Sequence, residues 1–235
     1  MFESEIPDNF QQKCLCVFLL DVSGSMRKDD RIGKLNAAMS QFYDDIVYGK
    51  NGVAKATIGR LEVAIIAFDQ EPKLIRPAKK NASLLLSRNE KFPILAERGS
   101  TTETVKAINV ALKFINERKR FYDRTGQGYH RPWIVLLSDG KSSSPEHEIQ
   151  RIEKIINAEI AGKHLSIIGL AIGDDVPLEN LNRFCGGRAC KLEGLRFAQF
   201  FQWLSNSFSL ITQSNDDETI DISIGRDDWM KNYSV

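Results

Sequence analysis

Asp21, Ser23 and Ser25 stand at alternate positions just past a short apolar run, Cys16-Val17-Phe18-Leu19-Leu20. Side chains of an extended chain alternate in direction, so these three lean toward one point above the carboxyl end of the run. One carboxylate and two hydroxyls meeting there offer hard oxygen ligands, which suit a divalent cation such as Mg²⁺. The plainer alternative is a strand followed by a polar turn. Two further aspartates weigh against it. Asp139 closes the run Trp133 to Ser138, and Asp174 follows the run Leu165 to Ile172, so three buried strands end in a carboxylate.

The elements that must position these groups are legible as apolar periodicity. Strands are expected at Cys16 to Leu20, Leu61 to Phe68, Trp133 to Ser138, Leu165 to Ile172 and Ala189 to Leu192. A tight turn at Asp69 to Pro72 leads into Lys73 to Arg76, read as an antiparallel edge strand blunted by charge and Pro77. Helical spacing of Ile32, Leu35, Ala38, Met39, Phe42 and Ile46 predicts a helix from Arg31 to Tyr48, stopped at Gly49. Val105, Ile108, Ala111, Leu112 and Ile115 stripe a second helix, expected to give way to a charged loop from Arg118 to Arg131. A third opens with Ser144 as N-cap and Pro145 at its first position, and buries Ile149, Ile152, Ile155, Ile156 and Ile160. A short helix carries Leu178, Leu181 and Phe184, and Phe197, Phe200, Phe201, Leu204, Phe208 and Ile211 stripe the last one. Residues 77–98 show neither period for long enough to assign, and Thr219 to Ile224 alternates as an edge strand does.

Buried strands alternating with amphipathic helices specify a Rossmann-like α/β fold. Its sheet is open and six-stranded, mostly parallel with one antiparallel edge strand, and helices cover both faces. Such sheets hold ligands outside the carboxyl ends of their strands. The expected organisation is a lead-in over 1–12, one domain over 13–212 and a polar tail over 213–235.

Composition narrows the classes. The chain has 235 residues, 42% hydrophobic and 27% charged, with a formal net charge of +1. No global field draws it to nucleic acid or anionic lipid. Arg118-Lys119-Arg120 and Lys79-Lys80 read as solvated faces. The start, Met1 to Glu5, lacks the basic and apolar regions of a signal peptide, and no apolar stretch approaches a membrane span. A cytoplasmic location is therefore expected, with Cys14, Cys16, Cys185 and Cys190 as buried reduced thiols.

Three motifs in order resemble those of the von Willebrand factor A domain. They are Asp21-Val22-Ser23-Gly24-Ser25, similar to DxSxS, and Thr102-Glu103-Thr104-Val105-Lys106-Ala107-Ile108, similar to T-x-T-x-x-A-[IL]. The third, Leu137-Ser138-Asp139-Gly140, is similar to a strand-ending TDG with serine for threonine. The resemblance covers about residues 13–212. It implies a metal-ion-dependent adhesion site formed by Asp21, Ser23, Ser25, Thr102 and Asp139, with Thr101 an alternative to Thr102. In that site the hydroxyls face the ion and the aspartates act mostly through water. The implied ion is Mg²⁺, with Ca²⁺ or Mn²⁺ as alternatives, and the implied function is docking of a Glu or Asp from another protein. Around the site, loops 26–30, 69–72, 99–102, 140–144 and 173–176 are expected to face the partner. Within the family, DxSGSM and the segment Pro132 to Gly140 are most similar to the bacterial TerY-like group. That group is associated with tellurite resistance, stress response and phage defence, often beside a protein kinase or a PP2C-type phosphatase. The chain is expected to work as a monomer or in an oligomer that the sequence does not specify, without nucleic acid or membrane as partner.

Two other functions compete, an enzyme of phosphohydrolase type and a scaffold with a vacant site. Haloacid dehalogenase-type phosphohydrolases carry DxDxT, whose second aspartate is the general acid; here that position is Ser23. No GxxxxGK[ST] is present, and Ser23 lacks the preceding glycine of a nucleophile elbow. His130, His147 and His164 fall in a loop, a helix start and a strand start, where structural or solvated roles are the ordinary reading. The chain is therefore read as a binding module and not an enzyme.

Overall fold

The computed structural model describes residues 7–77, 82–90, 92–139, 141–173, 176–192, 197–214 and 230–231. Eight consecutive buried residues, Cys14–Asp21, form the central strand β1. Their side chains alternate between two cores. Cys14, Cys16, Phe18 and Leu20 enter one; Leu15, Val17 and Leu19 enter the other. A strand with apolar groups on both sides has to sit inside the sheet.

β1 pairs in parallel with β2 (Leu61–Phe68) on one side and β4 (Trp133–Ser138) on the other. Lys73–Arg76 (β3) runs antiparallel on β2, as expected of the edge. β5 (Ser166–Ala171) and β6 (Ala189–Leu192) continue in parallel beyond β4. The two residues Met230–Lys231 (β7) add a short antiparallel pairing to β6, so the sheet order is β3-β2-β1-β4-β5-β6-β7. The alternating run Thr219 to Ile224 lies outside the described residues, as do Lys79 and Lys80.

On one face lie α1 (Arg31–Tyr48) and α5 (Phe197–Gln213), which interlock through aromatic rings. Phe18 of β1 meets Phe42 of α1 edge-on at 5.4 Å, and Phe42 meets Phe201 of α5 at 5.8 Å. Edge-to-face and tilted pairs of this kind add to the burial of the rings themselves. The other face is covered by α2 (Thr104–Thr125), α3 (Glu146–Ala161) and the short α4 (Leu178–Asn182).

Three expectations need correction. Helix α2 does not yield to a loop at Arg118 but runs on to Thr125, where Gly126 caps it in a left-handed conformation at φ 68°. The reason is that Arg118 is not solvated. Only 2% exposed, it forms an ion pair with Glu62, the one charged residue of β2, and Phe121 and Tyr122 are buried beside it. Ser144 does not cap α3, which starts at Glu146 after Pro145; its hydroxyl instead bonds Glu103 Oε2 at 3.1 Å. The described parts of the segment without periodicity, 82–90 and 92–98, are irregular chain apart from a bridge from Leu85 to Glu62, with Leu84, Leu86 and Leu95 buried. This chain is held by the buried Arg76 guanidinium, which donates to the carbonyls of Leu84 and Leu85 at 3.0 and 2.9 Å and to Glu90.

All four cysteines are free and buried. Burial pushes the thiols of Cys14 and Cys185 up to about 12. The thiolate is the reactive form, so native protein at pH 8 is expected to leave all four unmodified by Ellman's reagent, and denatured protein to titrate all four. Rapid native modification of Cys14, Cys16 or Cys190 would contradict the packing of β1 or β6, and that of Cys185 the packing of the turn before β6.

Candidate metal centre

The sheet order reverses between β1 and β4: β2 and β3 lie to one side of β1, while β4, β5 and β6 follow on the other. The crevice above such a reversal is where open α/β sheets take ligands. Asp21 ends β1 and Asp139 directly follows β4, so the topology delivers both carboxylates there.

Asp21 is fully buried. Its Oδ1 accepts the Ser23 N–H at 2.9 Å, and its Oδ2 accepts the Ser138 hydroxyl at 2.7 Å. Burial pushes its carboxyl up to about 6; the Ser138 and Ser23 hydrogen bonds oppose that rise and the charge of Asp139 adds to it. Among the described residues no Lys or Arg pairs with Asp21. The Ser23 and Ser25 hydroxyls lie 3.0 Å apart, and Ser25 donates to Asp139 Oδ1 at 2.7 Å. The other oxygen of Asp139 accepts from Arg31 Nη1 at 2.7 Å, in an ion pair whose side chains are 5% and 0% exposed. Ser25 itself is exposed, so the cluster opens to solvent on that side.

Thr102 approaches through a neighbouring turn. Its N–H donates to the Ser143 hydroxyl at 3.1 Å, and its carbonyl accepts from the Ser143 N–H at 2.9 Å. These bonds tie the loop before α2 to the loop after β4. Of the two threonine candidates Thr102 is buried and Thr101 half-buried. Among the described residues Thr102 makes no hydrogen bond to Asp21, Ser23, Ser25 or Asp139. Gly99 sets the path into this loop. At φ 69°, a Cβ there would lie 2.4 Å from Asp69 Oδ2 and 2.9 Å from Asp69 Cβ, so a side chain has no room.

Four of the five expected residues therefore form one hydrogen-bonded cluster, and Thr102 is fastened to the loop beside it. Gly140, Asp174 and Asp175 lie outside the described residues. Two partners were not expected, Ser138 on Asp21 and Arg31 on Asp139. Arg31 carried a signal, because a cation opening a helix faces the positive end of the helix dipole and calls for a nearby anion.

The chemistry of the cluster fits a small hard cation. Its side-chain ligands are oxygens only, it contains a buried carboxylate with no counter-cation among the described residues, and it has a solvent-facing side. Among the described residues no three His, Cys, Asp or Glu side chains gather to hold a metal, so any ion here depends on hydroxyls.

No curated protein matches the chain by sequence. Among solved structures it is similar to proximal thread matrix protein 1 from the mussel byssus, with a TM-score of 0.54 at 15% identity over 86% of this chain and 48% of that one. A second structure of the mussel protein, described as having a zinc-occupied MIDAS motif, gives 0.50 at 13% over 87% and 47%. The ArnB paralog VWA2 from Sulfolobus acidocaldarius gives 0.52 at 16% over 86% and 45%. The chain thus spans about half the length of these solved chains, and at such identities the likeness concerns the fold alone. The sequence profile of the von Willebrand factor type A domain matches residues 16–141, which run from β1 through β4 and carry every residue of the cluster. By that match the chain belongs to the von Willebrand factor type A domain family.

Proposed function

We propose that the chain is a divalent-metal-dependent docking module in which Asp21, Ser23, Ser25, Thr102 and Asp139 hold Mg²⁺ and a partner protein supplies a Glu or Asp. The observation that carries this reading is the hydroxyl–carboxylate cluster at the ends of β1 and β4, open on the Ser25 side. Neutral hydroxyls leave much of the charge of a bound ion uncompensated, so an incoming carboxylate gains a strong interaction. The zinc-occupied motif of the mussel protein supports metal binding on this fold, and the oxygen-only donor set favours Mg²⁺ or Mn²⁺ over a softer ion.

Docking suits the neighbourhood better than catalysis. Ser138 and Arg31, which carry protons next to the carboxylates, are both engaged in holding them. In the loops expected around the site, Asp29, Asp30 and Glu71 are exposed and Asp69 is buried. Of these, Asp29 and Asp30 repel carboxylates that are not aimed at the ion, which sharpens the choice of partner, whereas Glu71 and Asp69 are paired with Lys106 and Arg98. No helix of the described residues is long and apolar enough to cross a membrane. The motifs DxSGSM and LLSDG support a place in a cytoplasmic bacterial stress-response or defence system of TerY-like type, with a kinase or PP2C-type phosphatase as the partner.

For a partner purified by Mg²⁺-dependent capture, chelation of the ion is expected to weaken binding by about 100-fold or more, since it leaves a buried carboxylate uncompensated. Thr102→Ala should weaken it in the same direction. A dissociation constant that ignores both changes would place the partner on another surface.

A further inference from the structure

Arg31 is an expensive residue where it stands. It opens α1, where the helix dipole disfavours a cation. The two residues before it, Asp29 and Asp30, both take left-handed backbone conformations, at φ 53° and 55°, which residues other than glycine adopt only at a cost. Its guanidinium is also withdrawn from water, at 5% exposure. A bond that offsets these costs is the ion pair with Asp139 Oδ2 at 2.7 Å, while Ser25 takes the other oxygen of the same carboxylate. Asp139 is thereby turned so that the oxygen shared with Ser25 faces the cluster.

We infer that Arg31 is the resident counter-cation of the ion site, a positioning residue that sets how tightly the site takes a divalent ion. This rests on the assignment of Asp139 to that site under the proposed function. Two carboxylates and one guanidinium leave the cluster with one net negative charge instead of two. A divalent ion entering it is repelled by the guanidinium through a poorly screened medium, an effect on the order of tenfold or more in affinity. The site then holds the ion weakly by itself and tightly once a partner's carboxylate restores the balance of charge. Docking becomes cooperative with ion binding, because neither ligand is held well without the other.

The test is calorimetric titration of the full chain with Mn²⁺, in the parent and in Arg31→Gln, Arg31→Lys and Asp21→Ala. Arg31→Gln is expected to bind Mn²⁺ about tenfold or more tightly than the parent, and Arg31→Lys, which keeps the charge, to stay close to it. The melting temperature of Arg31→Gln should fall in chelator and recover on Mn²⁺ addition by more than the parent's does. If Arg31→Gln is unfolded in chelator, circular dichroism should show it refolding as Mn²⁺ is added; a variant that stays unfolded at parent-saturating Mn²⁺ overturns the inference. A folded Arg31→Gln that binds Mn²⁺ no better than the parent also overturns it, and if Asp21→Ala alone has lost the ion, the site assignment survives. Absence of Mn²⁺ binding in both the parent and Arg31→Gln sinks the inference and the site together.

Discussion

An Arg118→Ala variant is expected to melt about 6–20 °C below the parent, the shift that a loss of about 3–5 kcal/mol produces in a domain of this size. Arg118 Nε donates to Glu62 Oε2 at 2.8 Å, Nη2 donates to Oε1, and the two side chains are 2% and 1% exposed. The guanidinium also lies 4.1 Å from the Phe121 ring centroid, and the Tyr122 hydroxyl donates to the same Glu62 carboxylate. Truncation to alanine removes the cation, a ring contact and a large part of the packing, and leaves Glu62 charged inside β2. The uncompensated carboxylate dominates the loss, because the attraction within a buried pair does little more than offset the desolvation of its two ions. That asymmetry separates this account from simple loss of volume. A Glu62→Leu, Arg118→Met double variant is expected to stay within about 1–2 kcal/mol of the parent. Thermal and denaturant unfolding of the parent, the single variant and the double variant measure both effects. A single variant as stable as the parent would contradict the network.

The same pair marks the boundary of what the sequence reveals. Strands were legible because seven of the eight residues in each of β1 and β2 are apolar, and α1 because its buried residues recur at helical spacing up to a glycine. Arg118 falls on the stripe formed by Ala111, Ile115 and Tyr122, yet its charge reads as the end of that stripe. The buried Glu62, fifty-six positions earlier, supplies the counter-charge that its burial requires. Arg76 and Arg31 evade periodicity for the same reason. Arg76 holds the irregular chain at Leu84 and Leu85 through main-chain carbonyls, which carry no residue code, and Arg31 answers a carboxylate 108 positions away. In the cluster itself, Asp21, Ser23 and Ser25 were legible because strand alternation aims them locally, and Asp139 because it ends another buried strand. Thr102 was legible through family resemblance alone, since its bonds run to Ser143 in the loop after β4 and not to the cluster itself.

The largest effect on binding is expected from Asp21→Ala, which should lose the divalent ion altogether while the domain stays folded. Asp21 contributes the carboxylate that no described Lys or Arg compensates, so its removal takes away the charge that draws a cation to the cluster. The structural cost is modest. Two hydrogen bonds are lost, from the Ser23 N–H and the Ser138 hydroxyl, at about 1 kcal/mol each. Against this, a buried charge is removed that burial itself penalises, as the raised carboxyl shows. The two terms largely cancel, and a change in melting temperature of no more than a few degrees is expected. The most direct measurement is therefore Mn²⁺ or Mg²⁺ binding by calorimetry to the parent and to folded Asp21→Ala. One ion bound by the parent and none by the variant is the predicted result; equal binding by the two would show that the ion site lies elsewhere.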